Sequence, residues 1–264
     1  MSNSHSPKSF FWPCLKRLWL WTQIWCHVIA GLLTISMRFP FVRQESKNQL
    51  IQAWSIRLLN IFGIQLRVVG EGMLPATPFL LAANHISWMD IHAINAFRPI
   101  RFVAKSDVEG WPLFGWMAKQ LGTVFIQRNN ARHGKQVASV IATVLKTESV
   151  CIFPEGTSTI GECVLPFKPN LFEAAVIADT PVYSLALSYK SSLTGIRSDA
   201  PAFVGEMGLL ESMANILRNP GLIVELHFLP PSGASPIASR DRKWLALHSQ
   251  DVISTQLKLN WCTV

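Results

Sequence analysis

Short apolar runs alternate with amphipathic stretches along most of this chain. The runs "IQLRVVGE" (64–71), "FLLAAN" (79–84), "RFVAK" (101–105), "TVFIQR" (123–128), "VCIF" (150–153), "PVYSLALS" (181–188) and "LIVELHFL" (222–229) are strand-like in length and β-branching. Helical spacing of apolar positions separates most of them, over 49–62, 88–97, 112–120, 131–147, 170–179, 208–218 and 240–257. This alternation predicts an α/β fold: a largely parallel central sheet, apolar on both faces and therefore covered by helices. No internal repeat interrupts it. The one linker-like stretch, "LPPSGASP" (229–236), is too short to divide domains, so residues 48–264 are expected to form one domain.

The first fifty residues follow another pattern. "LWLWTQIWCHVIAGLLTISM" (18–37) carries no formal charge and is bracketed by Arg17 and Arg38. As a helix its twenty residues would cover about 30 Å, the hydrocarbon thickness of a bilayer. Trp12, Trp19, Trp21 and Trp25 crowd its front end, where amphipathic rings favour the headgroup region. Residues 1–47 are therefore read as an N-terminal membrane-anchoring segment, against the bland alternative of a long core helix. Basic residues lie on both flanks: Lys8, Lys16 and Arg17 before the segment, Arg38, Arg43 and Lys47 after it. That suits a single span and an interfacial hairpin equally.

Charge narrows the partners. The 264 residues carry a formal +8 and are 49% apolar, which favours an anionic, lipid-associated partner. Nucleic acid is disfavoured, because there is no basic run of five and no zinc-finger or RNP-like motif. The five cysteines are odd in number and lack CxxC spacing, so reduced thiols are expected, without a disulfide framework. His92, His133 and His227 form no metal-ligand grouping and are read as structural; no metal or resident cofactor is expected.

The candidate chemistry sits at strand ends. In "NHISWMD" (84–90) an apolar run stops on His85, and Asp90 follows five positions later. On a continuous helix those two would point roughly 140° apart, so they meet only if His85 precedes the helix and Asp90 lies in its first turn. Ser87 as N-cap, with S-x-x-D spacing to Asp90, provides for that, and also offers the plain explanation that the pair simply caps a helix. Capping does not require histidine at the end of the preceding strand, however. A carboxylate beside an imidazole fixes its tautomer and raises its basicity. No G-x-S-x-G elbow occurs, so a His–Asp pair would activate a substrate hydroxyl or water, and a covalent hydrolase is disfavoured. Three more apolar runs end on polar residues: Lys105 after "FVA", Arg128 after "FIQ" and Glu155 in "FPEGT" (153–157), where Gly156 permits a tight backbone approach and Thr157 adds a hydroxyl.

Taken together, these blocks resemble the lysophospholipid acyltransferases, which include the 1-acylglycerol-3-phosphate acyltransferases. NHxSxxD is Asn84 to Asp90, F-I-x-R ends on Arg128, "FPEGT" follows, and a proline-led block begins "TPVYSLAL" at Thr180. All four occur in order across 84–188, and "PLFGWMAKQLG" and "VLPFKPNLF" are similar to flanking family sequence. The resemblance implies an O-acyltransferase in which His85 is the general base and Asp90 orients it. Arg128, Glu155, Gly156 and Thr157 would hold the acceptor head group, and Lys105, from its own strand-end position, is added to that anion site. The co-substrate would be an acyl-CoA or acyl carrier protein thioester, the acceptor lysophosphatidic acid, and the setting a bacterial inner membrane with the site facing the cytoplasm. Some positions depart from the pattern. Ser158 stands where the family often has arginine, Ser184 replaces a second proline, and Pro169-Asn170 displaces a glycine. The chain also resembles the branch that includes lyso-ornithine lipid acyltransferases, so another lysolipid acceptor is an open alternative. A lipid-binding membrane protein without turnover is the alternative of a different class.

Overall fold

A computed structural model describes residues 8–126, 131–232 and 241–261, without the side chains of 8–14 and 131–135. Two long helices, α1 (Lys8–Met37) and α2 (Gln44–Phe62), run antiparallel and lead into β1 (Ile64–Val69). The chain continues through β2 (Leu80–Ala83), α3 (Met89–Phe97), β3 (Arg101–Lys105), α4 (Ser106–Glu109), α5 (Phe114–Gln120) and β4 (Val124–Ile126). Next come α6 (Ala131–Leu145), β5 (Val150–Ile152), β6 (Cys163–Val164), α7 (Glu173–Ala178) and β7 (Val182–Ser191). Last are α8 (Leu209–Arg218), β8 (Leu222–Phe228), α9 (Arg242–Leu257) and β9 (Asn260–Trp261).

Seven strands form one sheet in the order β1-β8-β7-β2-β5-β3-β4. Every neighbouring pair is parallel except β7 with β8. Side chains of successive strand residues point to opposite faces, and in the central strands both faces are buried. Leu81, Ala83, Leu185 and Leu187 pack under Met89 and Ile94 of α3 and Leu58, Leu59 and Phe62 of α2. Leu80, Ala82, Val182 and Ala186 face the other way, onto Ile141 and Leu145 of α6 and Leu245 and Ile253 of α9. The uninterrupted "LLAA" of β2 is the consequence, since a strand covered on both sides has no polar alternation to show.

Helix α1 is apolar on two sides for two reasons. Ile24, Val28 and Ile35 are buried, His27 stacks on Trp54 of α2 at 4.5 Å, and a Cβ on Gly31 would collide with the Trp54 indole. Leu15, Leu18, Trp25, Ile29, Leu33 and Met37 are exposed. At about 100° per residue these outward positions fall within about 120° of the circumference, opposite the packed side. The helix is long and apolar enough over 15–41 to cross a membrane, with 28% of its most apolar window buried inside the protein. It begins earlier than the 18–37 expected, and α2 crosses the expected division at residues 47/48.

The structure differs from the sequence reading in smaller ways. The stretch 112–120 starts its helix at Phe114, after the separate short α4, and the chain enters α5 through Leu113 at φ 63°. Strands β6 and β9 pair parallel in a small second sheet that periodicity did not reveal. Cys163, on β6, is disulfide-bonded, which corrects the expectation that all five thiols are reduced; Cys26 and Cys151 are free.

Candidate active site

Strands β2, β5, β3 and β4 are consecutive parallel neighbours, so their carboxyl ends open onto one edge of the sheet. Ligands of open α/β sheets usually bind along such an edge. His85 lies two residues past β2, Phe153-Pro154-Glu155 directly follow β5, and Lys105 closes β3. Arg128, two positions past β4, falls outside the described residues.

Asn84 finishes what β2 begins. Its amide Nδ2 donates to the Leu187 carbonyl at 2.9 Å, and its Oδ1 accepts from Leu187 N–H at 2.8 Å. The side chain thus extends the β2–β7 ladder while the backbone turns away, leaving His85 clear of the sheet.

Asp90 then resolves the choice between capping and pairing, because one carboxylate does both. Its Oδ2 lies 2.8 Å from His85 Nδ1 and accepts from the backbone N–H groups of Ile86 and Ser87 at 2.8 and 2.9 Å. Ser87 Oγ accepts from Met89 N–H at 3.2 Å in the turn entering α3, whose N-cap is Trp88, one residue later than the Ser87 expected. The other oxygen, Oδ1, accepts from the Tyr189 hydroxyl at 2.8 Å. Asp90 is 0% exposed, and each donor left unsatisfied there would cost about 1–3 kcal/mol. Burial, followed by the Asp90 charge, pushes the Tyr189 hydroxyl well above its ordinary 10, so it remains a donor. With Nδ1–H committed to Asp90, the basic lone pair of His85 sits on Nε2. The ring is stacked on Phe153, centroids 4.0 Å apart at 17°, and retains 20% side-chain exposure.

The "FPEGT" turn holds His85 from the other side. Glu155 was expected among the head-group contacts, but it is 3% exposed and both its oxygens are engaged by backbone. Oε1 accepts from His85 N–H at 2.7 Å, and Oε2 from Leu165 N–H at 2.9 Å. Burial raises its pKa from 4.5 to about 7 against the pull of those two N–H groups. Thr159 N–H donates to the His85 carbonyl at 2.9 Å, so both backbone polar groups of His85 are fixed by this one loop. Gly156 takes φ +72°, a region suited to glycine, and Thr157 is exposed. The Ser158 hydroxyl donates to the Phe203 carbonyl.

Sequence reading missed Phe153, Thr159 and Tyr189. Phe153 opens the "FPEGT" motif already singled out and Thr159 lies two residues beyond it, so contiguity was a usable signal. Tyr189 had none, because it reaches Asp90 from a strand 99 positions away. The remaining histidines lie elsewhere. His92 is packed between Trp54 and Trp88, and burial lowers it to about 3. His227 joins Glu225 and Gln256 on β8 and α9. His133 is outside the described side chains.

Comparison with known proteins gives this arrangement a family. A family model described as Acyltransferase matches residues 65–188, a span that contains all four motif blocks. A lyso-ornithine lipid O-acyltransferase of Pseudomonas aeruginosa is 32% identical over 230 residues, 87% of this chain and 86% of that protein. The chain belongs to the acyltransferase family. Another acyltransferase, the 1-acyl-sn-glycerol-3-phosphate enzyme of Neisseria gonorrhoeae, is 33% identical over 199 residues, 75% of this chain and 76% of its own length. The acyltransferase fold is also seen in the crystal structure of the 1-acyl-sn-glycerophosphate acyltransferase PlsC from Thermotoga maritima. That match has a TM-score of 0.63 and 20% identity, and it covers 95% of this chain and 98% of that one.

Proposed function

We propose that the protein is a membrane-attached O-acyltransferase. It moves a fatty acyl group from a thioester, acyl-CoA or acyl carrier protein, to the free hydroxyl of lysophosphatidic acid, giving phosphatidic acid. The observation that carries this is the 2.8 Å contact from His85 Nδ1 to a buried, fully hydrogen-bonded Asp90, which directs the basic Nε2 outward at the strand-end edge.

In the reaction, Nε2 takes the proton of the acceptor hydroxyl as its oxygen attacks the thioester carbonyl. The C–O bond forms, the tetrahedral intermediate collapses with cleavage of C–S, and the imidazolium returns the proton to the departing sulfur. Asp90 stabilises the imidazolium without becoming protonated. No acyl-enzyme is needed; Cys151 is 0% exposed, and burial pushes its thiol well above the ordinary range. Lys105, Arg128, Gly156 and Thr157 are assigned to the head group, while Glu155 acts through the backbone of His85. The outward apolar face of α1 supports attachment to a lipid surface, with the site on the cytoplasmic side of a bacterial inner membrane.

A second acceptor, lyso-ornithine lipid, is favoured by one specific observation. At the position where the family often has arginine, Ser158 supplies no cation and turns its hydroxyl to the Phe203 carbonyl. The relative from Pseudomonas aeruginosa carries that substrate in its name. Purified enzyme assayed with lysophosphatidic acid, lyso-ornithine lipid and lysophosphatidylcholine, each with acyl-CoA and acyl carrier protein thioesters, separates the readings. The expected result is the highest kcat/KM for lysophosphatidic acid. A preference for lyso-ornithine lipid would transfer the assignment to the second reading, and binding of every lipid without turnover would make the protein a lipid-binding module.

A further inference from the structure

Against the loop that fixes His85 lies a cation with no role so far. The backbone N–H of Lys168 donates to the Pro154 carbonyl at 2.9 Å, laying "LPFK" alongside the "FPEGT" turn. Its side chain then crosses over Gly156: a Cβ added there would stand 2.5 Å from Lys168 Nζ, 3.2 Å from Cε and 3.4 Å from Cδ. The absence of that Cβ is what allows the ammonium to rest against the turn. The lysine is exposed, and among the described residues it forms no ion pair. Arg67 and Lys190, by comparison, are both paired with Glu225, and Arg101 with Glu148. Gly156 adjoins Glu155, whose carboxylate holds the His85 backbone, so an anion meeting this ammonium would be seated one residue from the catalytic support.

We propose that Lys168 is a specificity-determining residue that binds the anionic oxygens of the acceptor head group, supplying the cation that Ser158 does not. This rests on the lysolipid acyltransferase reading. It adds the claim that positive charge at the "FPEGT" turn arrives from the neighbouring loop, with Gly156 kept side-chain-free to seat it. Phosphate and carboxylate share the required chemistry, a full negative charge on oxygen able to accept charge-assisted hydrogen bonds.

The test is steady-state acyl transfer by the full-length protein and its Lys168→Ala and Lys168→Arg variants. The acceptors are lysophosphatidic acid, lyso-ornithine lipid and uncharged monoacylglycerol. Lys168→Ala should raise KM for the preferred anionic acceptor by about tenfold or more, the usual loss for a hydrogen bond to a charged group. KM for the acyl donor and for monoacylglycerol should stay unchanged, and Lys168→Arg should restore most of the affinity. Whichever of the phosphate and carboxylate acceptors shows the larger change identifies the anion. An unchanged acceptor KM, or a change confined to the donor, would overturn the assignment while leaving the lysolipid reading intact. Failure of the unmodified enzyme to acylate any lysolipid would overturn that reading and this one together.

Discussion

At the scale of single residues, the site is a problem in satisfying buried donors. Asp90 collects four of them, from a ring nitrogen, two backbone amides and a phenol, and Glu155 collects two amides. His85 and Asp90 were legible in the sequence because capping chemistry and strand-end position coincided within seven residues. The role of Glu155 was not, since a carboxylate after a strand looks the same whether it faces substrate or the backbone of a neighbouring strand. Its raised pKa makes a prediction with a definite sign. The folded state favours the protonated carboxyl, so this group's contribution to stability is fully present below 4.5 and is lost as pH rises to about 7. Glu155→Gln should remove that part of the slope, seen by urea unfolding across this pH range. It should also lower turnover, because an amide offers one acceptor where two N–H groups point. Parallel pH–stability curves for the two proteins would contradict the assignment.

At the scale of elements, α1 shows how one apolar sequence serves two environments. Its inward face is fixed by helix–helix packing on Trp54, while its outward face keeps Leu18 65%, Ile29 54% and Leu33 54% exposed. The sequence revealed the apolar stretch but not its division into two faces, since both are written in the same residue types. Placing glutamate at Leu18, Ile29 and Leu33 should therefore detach the protein from lipid vesicles in a flotation assay. Thermal unfolding should shift little, because those side chains make no core contacts. Continued flotation would locate membrane attachment elsewhere. Strands β2 and β5 were readable for the opposite reason: parallel strands buried on both faces appear as unbroken apolar runs with chemistry at one end. The reversal of β8 left no such trace, because an antiparallel neighbour in a doubly covered sheet is equally apolar.

At the scale of the whole molecule, the fold converts distance along the chain into contact at one edge. Residues 85, 90, 155, 159 and 189 come from three strand ends and a helix start, and the sheet order β7-β2-β5 makes those ends adjacent. Parallel topology thus aligns the carboxyl ends, and the double clamp on His85 leaves Nε2 as its reactive atom. The claim that this nitrogen is the general base is tested most directly by measuring acyl transfer in a His85→Ala variant shown by thermal unfolding to be folded. The account predicts that kcat falls by about two to four orders of magnitude, with little change in acceptor KM. A folded variant that transfers acyl groups at near the unmodified rate would contradict it.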